Sequence, residues 1–436
     1  MEPGSVRSAR ALICPKWSSA ASKFLSCSRI PANTKADCVK AFNRFMGANR
    51  RMAILAFVRT IRMTFLLLVF TLLTACWDFH DARQLTYGST IGVDYRNNAY
   101  TMYAQSLNLA NIAKRTGQQT KAATSIVGIS QGETVAESMF HLYQSEQEPV
   151  YWGHISSIVF TRQALENVTI ESLVDSINRY RDLRYNVWVF GTDEPIERIL
   201  EFSPYFGYSP YDSRLMKPDQ TFRQFSDIAP IYLNRFVSDY FERSRTLLFP
   251  ELALDDSTWT EGGKKVPTVK LNGYYVFASE KLSGKLTMDQ AIGLRYMNER
   301  THRTKLTVFK NEQPAALLVL VKPKVKIRHS VSGGIVRFDV GISMEAYVDE
   351  MLQEVPESFL VQQIRENVEE AVQTTFEEGK RINADVYNLT NHLYRFHYQT
   401  WKRNVTDQLD MNKVDLRRVR VSVLIRHSGK YKARLK

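Results

Sequence analysis

The sequence predicts an α+β chain of several domains: an N-terminal mixed α/β unit, a small middle domain or connection, and a C-terminal antiparallel sheet covered by two long helices. Three patterns carry that expectation. Strand-length and helix-length apolar stretches alternate from Gly88 to Phe202. Prolines and aromatics crowd residues 203–267. Strict two-residue alternation from Val321 to Ala346 is followed by apolar residues at every fourth position from Leu360 to Phe376. These are the periods of a half-buried sheet and of an amphipathic helix. A chain of 436 residues has room for two or three such units.

Residues 1–51 mix Ser, Ala, Arg and Lys without a period. They are expected to be a non-structural leader, with translation beginning at Met52 or, as the next choice, Met46. Residues 52–75 read as a signal peptide. Arg59 and Arg62 precede an apolar run from Met63 to Ala75, which ends in Leu73-Thr74-Ala75-Cys76. The run falls short of the roughly 20 residues that cross a bilayer core, and charge before apolar residues is the order of a signal. Leu73, Thr74 and Ala75 form the recognition side of a lipobox, because small residues admit the backbone to a signal peptidase. The Cys76 thiol takes a diacylglycerol, and cleavage makes Cys76 the new N-terminus.

Charge and cysteine usage agree with that reading. Of the Lys and Arg residues, twelve fall before Cys76 beside only two acids, Glu2 and Asp37. Most of the formal +13 charge therefore sits in the leader, and a nucleic-acid partner is not expected. The other cysteines, Cys14, Cys27 and Cys38, also precede Cys76. Beyond it the chain can form no disulfide and no thiolate metal site.

Residues 76–202 are expected to be the first folded domain. Gly88–Asp94 and Tyr100–Leu107 read as paired strands, turned by Asn97-Asn98, which tolerate positive φ. A loop over Ala110–Ala123 and a strand at Ile126–Ile129 follow. Gly132-Glu133-Thr134 opens a helix that buries Val135, Met139 and Leu142. Trp152-Gly153-His154 leads into a strand at Ile155–Phe160. Leu165–Arg181 reads as one helix, Val187–Phe190 as a strand and Pro195–Phe202 as a helix. In residues 203–267, Ile231–Arg243 reads as a helix and Asp255–Lys265 as a turn or boundary.

Residues 268–436 are expected to be the C-terminal α+β domain. Lys270–Ser279 reads as a strand and Thr287–Tyr296 as helical. The hairpin turns at Ser332-Gly333-Gly334. Its lysine-rich face, Lys322, Lys324, Lys326 and Arg328, is expected to be a solvated face whose charge discourages edge pairing, the alternative being a patch for lipid headgroups. Pro356 opens a long helix to about Gly379. Asp385 opens a second, with Leu389, Leu393 and Phe396 inward. Val419, Val421, Val423 and Ile425 form a last strand that returns to the hairpin sheet.

No phosphate-loop, dinucleotide, nucleophile-elbow or zinc-helix pattern occurs. Gly262-Gly263-Lys264-Lys265 reads as a turn. His392 and His397, five apart, would point to different faces of a helix, which argues against a metal pair. His154 reads as a hydrogen-bonded residue at a strand start. No catalytic, cofactor-binding or metal residues are predicted, and a non-enzymatic role is expected.

The stretch from about Leu72 to Lys432 resembles the Ger(x)C family of spore-germination lipoproteins, the C subunits of nutrient germinant receptors. The resemblance rests on Leu73-Thr74-Ala75-Cys76-Trp77-Asp78, Gly92-Val93-Asp94, Gly132-Glu133-Thr134, Trp152-Gly153-His154 and the basic Arg179–Arg184 segment before Val187–Phe190. Gly273, Val276, Phe277, Lys281, Leu282 and Gly284 then match a C-terminal opening pattern, and Val419–Ser428 the closing strand. Ala75 stands where glycine is usual, and Arg295-Tyr296 where the family carries a tryptophan. The resemblance implies a lipid-anchored, non-catalytic subunit on the outer face of the inner spore membrane. Its expected partners are the membrane-embedded A and B receptor subunits, and membrane lipid through the diacylglycerol on Cys76. The alternative is a lipid-anchored solute-binding protein of a transporter, which would need two similar parallel lobes around a cleft.

Overall fold

The computed structural model describes residues 57–69, 85–107, 125–178, 184–201, 210–406 and 409–426. Two compact units divide the chain, residues 1–80 and 81–436. In the first, residues 57–69 form a helix, and its Phe57, Phe65, Leu66, Leu67 and Leu68 are exposed. Among the described residues no helix is long and apolar enough to cross a membrane. The lipobox residues Leu73, Thr74, Ala75 and Cys76 lie outside the described residues, as does the expected loop Ala110–Ala123.

The second unit carries two sheets. Strands β1 (Thr86–Arg96) and β2 (Ala99–Leu107) form the expected hairpin. Its turn residues Asn97 and Asn98 both hold positive φ, 53° and 61°. β3 (Ile126–Gly132) extends that edge. On the other side of β1 lie β5 (Ser157–Thr161) and then β6 (Trp188–Thr192), both parallel, with the short β4 (Val150–Tyr151) also paired to β1. β5 and β6 are buried at every position, which is why they read as continuous apolar runs.

The same sheet then continues through β7 (Leu247–Glu261), β8 (Lys264–Ala278) and β9 (Lys281–Thr287), in the order β3-β2-β1-β5-β6-β7-β8-β9. The expected boundary at 267/268 thus falls within β8. The stretch Asp255–Lys265, read as a turn or boundary, is the outer part of a long hairpin that turns at Gly262 and Gly263, φ 57° and 81°. Pro250 lies within β7, and a proline inside a strand obscures it in sequence.

Helices lie against both faces of this sheet. The helix Val135–Ser145 starts as expected. Thr134 caps it by accepting from the Glu137 N–H at 3.0 Å, and the Glu137 carboxylate accepts from the N–H of Glu133, the residue before the cap, at 2.7 Å. The helix expected over Leu165–Arg181 is instead two, Arg162–Asn167 and Ile170–Asn178. β-branched Val168 and the capping hydroxyl of Thr169, which accepts from the Ser172 N–H, interrupt it. The helix Leu233–Phe241 seats Phe236 against Phe160 and Phe249.

The second sheet has the order β10-β11-β12-β13: β10 (Thr304–Lys310), β11 (Gln313–Ser332), β12 (Ile335–Met351) and β13 (Val414–Arg426). β11 and β12 pair antiparallel, as expected; β10, unmarked in the sequence, adds antiparallel to β11, but β13 runs parallel to β12, so the sheet is mixed. On β12, Val336, Phe338, Val340, Ile342, Met344 and Ala346 are buried. They meet Leu360, Ile364, Val368, Val372 and Phe376 of the helix Glu357–Arg381, all fully buried. The second covering helix is shorter than expected and divides at His397 into Leu389–Phe396 and Tyr398–Asn404. Leu389 and Leu393 point inward, whereas Phe396 is exposed. Thr287–Tyr296, expected helical, has only the turn Leu294–Met297 in α-form.

Limited proteolysis tests the continuity of the first sheet. Residues 256–265 are exposed, apart from the first sheet's buried strand segments, and trypsin is expected to cut first at Lys264 or Lys265. The two fragments should then co-elute under native conditions, because β7 and β8 remain hydrogen-bonded. Separation of the fragments without denaturant would show two independent halves.

Candidate functional site

Among the described residues, the positions singled out in sequence take structural roles. His154 ends a single 3₁₀ turn, its ring edge-on to Tyr87 and Tyr151 at 5.1 and 5.6 Å. Trp152 is buried and donates from its indole N–H to the Tyr143 hydroxyl at 2.7 Å. Gly273 holds φ 155°, and a Cβ there would collide with the Leu286 carbonyl. Tyr296, at the tryptophan departure, is 2% exposed in the C-terminal core, while Arg295 pairs with Asp227 at 2.9 Å.

Two of the clefts in the second unit gather acidic and basic side chains. One, of about 620 Å³, is lined by Gln105, Asp212, Arg214, Asp255, Trp259 and Lys270. Its acids are already engaged: Asp212 with Lys217 at 2.7 Å, and Asp255 with the hydroxyls of Ser257 and Thr258. The other, of about 510 Å³, is lined by Arg235, Asp239, Arg245, Tyr274, Arg300 and Asn388.

The second cleft adjoins the joint between the two sheets, which no sequence signal announced. Asn388 holds both backbone groups of Thr246, accepting from its N–H at 2.7 Å and donating to its carbonyl at 3.2 Å. Arg395 donates twice to Glu242, at 2.5 Å each. The Trp401 indole N–H donates to the Ser244 hydroxyl at 2.6 Å. Asp239 lies between Arg245 and Arg235, at 2.6 and 2.9 Å. Burial pushes the Asp239 carboxyl up, against the pull of both arginines. Hydrogen bonds from Arg395 hold Glu242 below its ordinary value. Residues 242–246 and 388–401 are far apart in sequence, so only the tertiary fold brings these hydrogen-bonding groups together.

The same helix break corrects the histidine expectation. His392 and His397 do not diverge; their rings lie 6.0 Å apart, and His329 of β11 stands 4.4 Å from His397. The backbone at His397, φ −140°, turns the ring back over the sheet. Burial, and then His397, push His329 below the usual imidazole value, and His392 likewise. The geometry is not a metal centre: among the described residues no three His, Cys, Asp or Glu side chains are placed to hold an ion.

The outer face of the second sheet is basic, as its sequence alternation predicts, and wider than the hairpin alone. Register sets Lys324, Ser343 and Ser422 in one row, Lys326, Gly341 and Arg420 in the next, and Arg328, Asp339 and Arg418 in a third. All the lysines and arginines in these rows are exposed. Asp339 is occupied by a bidentate bond from Arg417, which holds its carboxyl below the ordinary range.

Residues 78–254 match the family model described as spore germination protein N-terminal domain. Residues 272–429 match the one described as spore germination B3/GerAC like, C-terminal. The crystal structure of the GerBC protein is similar at 15% identity, covering 77% of this chain and 96% of that one, with a TM-score of 0.49. No curated protein matches the chain.

Proposed function

The chain belongs to the GerAC family of spore germination proteins, and from that premise we propose that it is a lipid-anchored, non-catalytic subunit of a nutrient germinant receptor. The observation that carries this reading is the pair of family matches in order, 78–254 and 272–429, beginning two residues after the lipobox cysteine. Diacylglycerol on Cys76 would tether the chain to the outer face of the inner spore membrane. There it would act beside the membrane-embedded A and B subunits. Tethering raises the effective concentration of membrane partners, so a modest interface suffices. A solute-binding protein would want two similar parallel lobes, whereas the second sheet here is mostly antiparallel.

Deletion of the coding region tests the role. Germination on defined nutrients is expected to fall by orders of magnitude while non-nutrient triggers still act. Spores that respond normally to every nutrient would reject the receptor role.

A further inference from the structure

We propose that the outer face of the second sheet, centred on Gly341, is a docking surface for an anionic lipid bilayer. The inference rests on the membrane-surface reading above, but its observations are independent of Cys76. Lys324, Lys326 and Arg328 on β11 and Arg418 and Arg420 on β13 flank β12 from both sides. None of them forms an ion pair with a described residue, and the carboxylate among them, Asp339, is already held by Arg417.

Strand geometry fixes the spacing of these cations. Side chains two apart on one face stand about 7 Å from each other, and β11 and β13 lie about 10 Å apart across β12. That is within about one Debye length at 0.1 M salt, so their fields add. The floor between them is small and flat: Gly341, Ser343 and Ser422. A Cβ at Gly341 would meet nothing closer than 3.9 Å.

The shape selects the partner. A protein interface draws its strength from aromatic, Met and Arg anchors seated in pockets, and is depleted in lysine. A single-stranded nucleic acid needs aromatic stacking platforms. The rows around Gly341 hold no aromatic side chain, and the cleft that Lys324 borders with Lys322, Pro323 and Tyr347 is lined by none of the other four cations. A planar sheet of phosphate headgroups meets all of these cations at once, without any concavity. The acids in the two flanking rows are taken, Glu345 by Lys322 and Arg426 and Asp415 by Arg337, so no bare carboxylate directly beside these rows repels such a surface.

The test uses residues 81–436, which form one compact unit with their own cores and lack Cys76. Sedimentation is measured with vesicles of phosphatidylcholine alone and of phosphatidylcholine mixed with phosphatidylglycerol. Binding is expected only to the mixed vesicles, and release by about 0.5 M salt. Lys324→Gln, Lys326→Gln, Arg328→Gln, Arg418→Gln and Arg420→Gln together should weaken it by at least about tenfold, with the urea midpoint unchanged. Lys402→Gln with Arg403→Gln, exposed elsewhere, should leave it nearly intact. No binding to mixed vesicles, equal loss in both variants, or binding that survives high salt would overturn the assignment. So would tighter binding of poly-glutamate than of vesicles, which would assign the face to an acidic protein segment. None of these results bears on the mass of the mature chain, so the anchor at Cys76 stands or falls separately.

Discussion

Gly273→Ala is expected to destabilise residues 81–436 by about 2–5 kcal/mol, lowering the urea midpoint by roughly 1 M or more. Two costs act together. At φ 155° an L side chain is strained, and its Cβ would collide with the Leu286 carbonyl of the neighbouring β9. That carbonyl belongs to the β8–β9 ladder and cannot withdraw without losing pairing. The comparison is Gly341→Ala on the open basic face, where the new methyl meets only ordinary contact; it should shift stability by no more than about 0.5 kcal/mol. Equal midpoints for the two variants would mean that β9 is free to move away from β8.

The second large effect concerns the anchor. The natural chain should remain with membranes through a wash at about 0.5 M salt, where the Debye length is only a few Å. A diacylglycerol supplies two acyl chains, each buried methylene contributing about 0.8 kcal/mol, and two chains make attachment stable where one is marginal. The same chain exported without lipid, from Trp77 onward, should be released by that wash. Intact mass of the washed membrane fraction should read a chain beginning at Cys76 plus the diacylglycerol. An unmodified chain beginning at Met1 in that fraction would refute lipidation.

How much of this was legible in the sequence depended on how local the cause was. Asn97-Asn98, the helix start at Gly132-Glu133-Thr134 and the four-residue spacing from Leu360 to Phe376 are each set within a few residues, and each was read. The β11–β12 alternation was read for the same reason, since a tight turn fixes its register. β7 escaped because its outer half is polar and paired only with β8, and Pro250 breaks the pattern of its inner half. β13 reads as a strand, but its parallel direction is set by the long excursion that precedes it. His329, His392 and His397 meet through one unannounced helix break. The joint at Glu242, Asn388, Arg395 and Trp401 joins polar residues more than a hundred positions apart, and periodicity carries no trace of such pairs.

The parallel pairing of β13 with β12 sets the timetable on which the C-terminal half can be made. β12 ends at Met351 and its neighbour begins only at Val414, so the pair is a contact of high sequence separation, the kind that forms slowly. Synthesis delivers β10, β11, β12 and the long helix first. Until the last strand emerges, one edge of β12 stands open beside Phe338, Val340 and Ile342. Such an edge is a template for foreign pairing. A nascent chain stalled after Asn404 is therefore the most aggregation-prone species on the route. Premature stops just before Val414 should be removed by chaperones and proteases rather than persist as shortened subunits.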